Sequence, residues 1–259
     1  MVLDSDIRDR LCKAARLFAV VCGLLFFLAP HAMAAQETLS LRYFRSVHVV
    51  RQLVPGSLWP AVTVPSKVKN HDTTNALLAH PDKSFVLESL ARDFEAAVKT
   101  KKFPESGYYA AHTLAMLGRH AAAADAMKTY LPNVPFREEH YLFLVRELHA
   151  AEAHNAAITA VRQWQSLGNA TGKFCSEERL AYAWGSFQAL GMYREAMEEV
   201  LSDPCGSWQG QVFFAKSSLD LGDVNGAYAR IASVMQDDPD RSQEIEALWD
   251  RLSMYAIYP

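Results

Sequence analysis

Small and apolar residues return at helical spacing in several separate stretches of the chain. Ala110, Ala111 and Leu114 form one set, Leu144, Val145 and Leu148 a second, and Phe214 with Ala215 belongs to a third. Separations of three and four residues put such side chains on one helical stripe. In "DKSFVLESLARDFEAAVKTKKF" (82–103), Phe85, Leu90, Phe94 and Val98 are available to pack, and Asp82 is placed to cap the helix start. Near the C-terminal end, "RSQEIEALWDRLSMYAIYP" sets Ile245, Leu248, Trp249 and Leu252 on one stripe. Residues 36–81 break the pattern. Their "LRYFRSVHVVRQLVPGSLWPAVTVP" begins as either helix or strand and continues as extended, proline-fixed chain.

The helical stripes are parts of a repeat. Four segments align: "AMLGRHAAAADAMKTYLPNVP" from Ala115, "HAAEAHNAAITAVRQWQSLG" from His149, "QALGMYREAMEEVLSDP" from Gln188 and "LDLGDVNGAYARIASVMQDDP" from Leu219. Gly118, Glu152, Gly191 and Gly222 occupy one shared position, at successive spacings of 34, 39 and 31 residues. Two residues on come His120, His154, Tyr193 and Val224, and five residues on come Ala123, Ala157, Ala196 and Ala227. Glycine relieves backbone strain where a helix ends in a tight turn. Alanine lets the following helix lie close against the preceding one. Pro135 and Pro239 fall where each second helix should stop.

This pattern resembles the tetratricopeptide repeat, a helix–turn–helix unit of 34 residues. The resemblance covers residues 104–240. It departs from the family pattern at Glu152, at Trp184, where a small residue is usual, and at Ser218, normally apolar. It implies an all-α solenoid of four helical hairpins, closed by a capping helix at 241–259 that covers the last exposed core face. Residues 35–81 are then an unassigned extension, and 82–103 a helix packing on the solenoid. The inward positions of the repeat map onto Tyr108, His112 and Met116, then Leu142, Arg146 and His149, then Gln188, and finally Val212, Lys216 and Leu219. They imply a concave groove that binds an extended or helical segment of a protein partner.

The N-terminus changes the picture of where this happens. Lys13 and Arg16 precede an apolar run from Leu17 to Ala29, followed by Ala32-Met33-Ala34. That order matches a secretory signal peptide over residues 1–34, with cleavage after Ala34. The run is short for a membrane span, and an uncleaved inner-membrane anchor is the rival reading. Export implies a periplasmic or secreted protein in an oxidising compartment, where Cys175 and Cys205 are a candidate disulfide. Two unpaired thiols remain the alternative, because neighbouring helix starts about 10 Å apart are out of bridging reach.

Composition excludes more than it selects. The formal net charge is −3, without long single-sign blocks, which argues against nucleic acid as a partner. There is no HExxH or CxxC pattern and no Gly-rich phosphate loop, so neither a metal nor another cofactor is expected. "SKVK" (66–69) matches Ser-x-x-Lys but lacks the supporting motifs of that hydrolase family. Glu198 and Glu199 are expected on a solvated surface, and Asn169 of the "NAT" sequon in an exposed loop. The expectation is a non-enzymatic scaffold in a cell-envelope complex. The rival readings are an enzyme with its site in residues 36–81 and a binder of peptidoglycan or a small ligand.

Overall fold

The computed structural model describes residues 39–55, 59–170, 175–203 and 206–255, the last five of these as backbone alone. The candidate leader, Pro204, Cys205 and the side chain of Leu252 lie outside the described residues. No strand occurs among those described. The chain divides into two compact units, Met1–Phe103 and Pro104–Pro259.

In the first unit, residues 39–53 are helical (α1). The helix-or-strand ambiguity resolves this way despite three valines, because Tyr43, Ser46, Val47 and Val50 recur at helical spacing and are all fully buried. Packing of one face outweighs the β-preference of valine. Their neighbour is α4 (Lys83–Thr100), which is capped by the Asp82 carboxylate accepting from the Phe85 N–H at 3.1 Å. The helix at 82–103 thus belongs to this first unit. Its buried stripe is Val86, Leu90, Phe94 and Ala97, whereas Phe85 is half-exposed and stacks on His80. Asp93 accepts from Ser46 Oγ at 2.9 Å and pairs with Arg42 and Arg45, so a buried carboxylate fastens α4 to α1. Arg51 donates to the carbonyls of Pro60 and Val62, fixing the extended chain there. The described part of that stretch, 59–65, is free of helix, and beyond Pro65 come two short helices, α2 (Ser66–Lys69) and α3 (Asp72–Ala79).

The second unit is a row of four helical hairpins. They are α5 (Ser106–Met116) with α6 (His120–Tyr130), and α7 (Glu138–Ala150) with α8 (His154–Asn169). Next come α9 (Glu177–Ala189) with α10 (Tyr193–Ser202), and α11 (Trp208–Asp220) with α12 (Val224–Asp237). The final helix is α13 (Ser242–Tyr255). The aligned His120, His154, Tyr193 and Val224 each begin a second helix. Asn169 closes α8 as its last residue, on the helix and not in a loop.

All four turns share one geometry. The residue at the aligned position is left-handed every time: Gly118 at φ 70°, Glu152 at 57°, Gly191 at 68° and Gly222 at 86°. The next amide donates back to the first helix, from Arg119 to Leu114, Ala153 to Leu148, Met192 to Phe187 and Asp223 to Ser218, each at 2.9 Å. This is the six-to-one hydrogen bond of a Schellman cap. Glu152 therefore adopts the conformation that favours glycine. The four aligned alanines are buried, which permits the close hairpin packing.

Each hairpin touches its neighbours in the row. Second helices pack on the following first helix (α6 on α7, α8 on α9, α10 on α11), and first helices line up through α7, α9, α11 and α13. Ile245 of α13 is buried in a cluster with Leu180, Trp184, Phe187, Val212 and Phe213, with Leu248 and Trp249 packed against it. This is the capping role expected of the last helix. The departure at Trp184 is accommodated by stacking on Phe213 at 5.1 Å, with its Nε1 donating to Ser217 Oγ at 2.9 Å.

Candidate binding face

The first helices present their inward positions as a connected run of side chains. Tyr108 and His112 on α5 lie 4.3 Å apart, and His112 meets Phe143 of α7 at 4.2 Å between ring centroids. Arg146 lies over Phe143 at 5.4 Å and pairs with Glu147 at 3.2 Å. His149, at the end of α7, packs edge-on against Tyr182 of α9 at 5.7 Å. Gly185 faces it, and a Cβ there would sit 3.4 Å from the imidazole, in ordinary contact. Gln188 donates to Ser217 of α11 at 2.8 Å.

The ten positions are not equally accessible. Met116 and Arg146 are exposed, and Leu142, His112, His149, Gln188 and Leu219 are partly so. Tyr108, Val212 and Lys216 are buried, with Val212 at 0% exposure. These three do not line an open groove. Val212 is a core residue of the last hairpin. Lys216 is covered by α13, its ammonium 3.4 Å from Asp220 and 6.0 Å from the Trp249 ring centroid. A 3.6-residue period marks which way a side chain faces, but the next helix in the row decides whether it reaches water.

Burial sets the protonation of the face. His112 is lowered to about 4, chiefly by burial and further by Arg146 and His140. His149 is lowered by burial and by His154, while His140 is lowered mainly by burial and then by Arg137. Tyr108 is raised to about 12, first by burial and then by Tyr130 and Glu139. At neutral pH these imidazoles are uncharged, so Arg146 is the main cation on this stretch.

Several contacts escape a reading by sequence. His120, aligned with aromatic packing positions, instead holds the buried Glu147 carboxylate at 2.8 Å. His149 and His154, five apart along the chain, meet across the turn at 5.1 Å. Glu199 is not solvated. It receives Arg179 at 3.1 Å, and Arg179, wholly buried, also holds Asp203. Cys175 is disulfide-bonded, and Cys205 lies outside the described residues. Among the described residues no helix is long and apolar enough to cross a membrane.

Helical hairpins repeated in line, with shared turns and a closing helix, define a tetratricopeptide-like all-α solenoid. Two solved structures are similar to part of the chain. One is TTC0263, a thermophilic TPR protein of Thermus thermophilus, at 16% identity and TM-score 0.42, covering 66% of this chain and 92% of that one. The other is MamA, at 14% identity and TM-score 0.46, covering 63% and 99%. No protein-family profile and no curated protein sequence matches the chain.

Proposed function

We propose that the protein is an exported scaffold that binds a segment of a protein partner along its first-helix face, within a cell-envelope assembly, export or maturation complex. The observation that carries this reading is the half-open run of Met116, Leu142, Arg146, His149 and Gln188. It crosses three first helices and mixes apolar, aromatic and cationic chemistry. Hairpin arrays bind through such extended surfaces because each unit adds a few contacts to a rigid line. The leader at 1–34 supports export to the periplasm. N-terminal sequencing of protein recovered from its host should begin at Ala35.

The test of the binding reading uses the accessible positions. A photo-crosslinking amino acid at Leu142 or Gln188, introduced in the native host, should trap one discrete protein adduct. Arg146→Ala combined with His149→Ala should abolish that adduct while the helical circular dichroism stays unchanged. An adduct that persists in the double variant would sink the proposal.

A further inference from the structure

The join between α12 and α13 differs from every earlier one. Where α6, α8 and α10 each pack closely on the following first helix, α13 lies closest to α11, and α12 meets it through Ile231, Val234 and Met235 against Ile245, Leu248 and Trp249. A cavity of about 550 Å³ opens between them. Val224, Ala227, Tyr228, Ile231 and Met235 line its α12 wall, with Ile245 and Trp249 opposite. Val224 and Tyr228 are 47% and 73% exposed, whereas Ala227 between them is buried.

Along α12 the lining residues fall at i, i+3, i+4, i+7 and i+11. That is a helical stripe of about three turns, roughly 16 Å long at 1.5 Å per residue. A stripe of this form is complementary to another helix laid alongside it. The slot is also charged at its edge. Glu246 and Asp250 line it, and no Lys or Arg does.

We propose that this slot docks an amphipathic helix of a partner protein, with apolar residues at helical spacing facing the stripe and Lys or Arg facing Glu246 and Asp250. The proposal does not rest on the first-helix face, which lies on other helices for most of its length.

The full chain, immobilised, is used to select from a display library of helical peptides about 16 residues long. Enriched peptides should carry an apolar i, i+3, i+4, i+7 stripe flanked by basic residues. By fluorescence anisotropy, Tyr228→Arg should weaken the best peptide about tenfold or more, and so should Glu246→Lys with Asp250→Lys. Arg146→Ala should leave its affinity unchanged, which separates this site from the first-helix face. The inference is overturned by an absence of enrichment, by enrichment of acidic peptides, or by affinities that ignore the Tyr228 and Glu246 changes. It is also overturned if the free chain dimerises through this slot, seen as a sedimentation shift that Tyr228→Arg abolishes.

Discussion

The four left-handed turns allow one kind of strain to be weighed in isolation. At Gly118, Gly191 and Gly222 an added Cβ would meet nothing within 4 Å. Replacing each by alanine therefore changes the backbone preference and little else. A left-handed non-glycine residue costs roughly 1–2 kcal/mol, partly offset by the lower entropy of the unfolded alanine chain. Each Gly→Ala variant should lose about 1 kcal/mol. Glu152 runs the same comparison in reverse. Its backbone sits at φ 57°, and its side chain is exposed, with no ion pair among the described residues to compensate. Glu152→Gly should release the strain, less the flexibility added to the unfolded chain, for a net gain of about 0.5–1 kcal/mol. The assay is urea unfolding followed by circular dichroism in the helical band, with thermal melting as a second measure. Gains of this size raise the melting temperature by about 1–4 °C in a chain of this length. If Glu152→Gly lowers the midpoint, or the three alanine variants leave it unmoved, the turn is not the source of strain and the reasoning fails.

Other groups invite equally direct tests. Arg179→Met would strand the buried Glu199 and Asp203 carboxylates and should cost about 3–5 kcal/mol in a thermal melt, with Arg179→Lys rescuing only part because one ammonium replaces a two-pronged donor. The folded pKa of His112, about 4, lies below its unfolded 6.5, so the unfolded chain takes up the proton first and stability falls as pH drops through that window. The loss should reach about 3 kcal/mol at most, and His112→Phe should flatten much of it in urea titrations at stepped pH. Cys175→Ser should cost about 3–4 kcal/mol, and a non-reduced peptide map should join Cys175 to Cys205.

The hairpin register is legible in the sequence because sterics admit few residues there. Only a residue tolerating φ above zero suits the turn, and only a small one suits the buried contact five places later. Glu152 is visible as an exception, yet its strained backbone follows from the cap bond between Ala153 and Leu148, which only the structure displays. The candidate face is legible in direction but not in depth. Whether Val212 and Lys216 reach solvent depends on how α9 and α13 flank α11, a rotation between units that no single-helix period encodes. The same holds for the stack of His112 on Phe143 and for Arg179 reaching both Glu199 and Asp203. Phe85 shows the opposite error, an apolar residue on the flank of its helix that stays half-exposed and stacks on His80.

Contacts in the second unit run mostly between consecutive members of the row, so the array behaves as a zipper more than as a single globule. Loosening would start at an end and travel one hairpin at a time, halted where Arg179 ties α9 to α10 and where α13 clamps the final pair. A protease acting briefly on the native protein would then trim whole hairpins and leave a ladder of folded remnants, each differing from the next by one repeat.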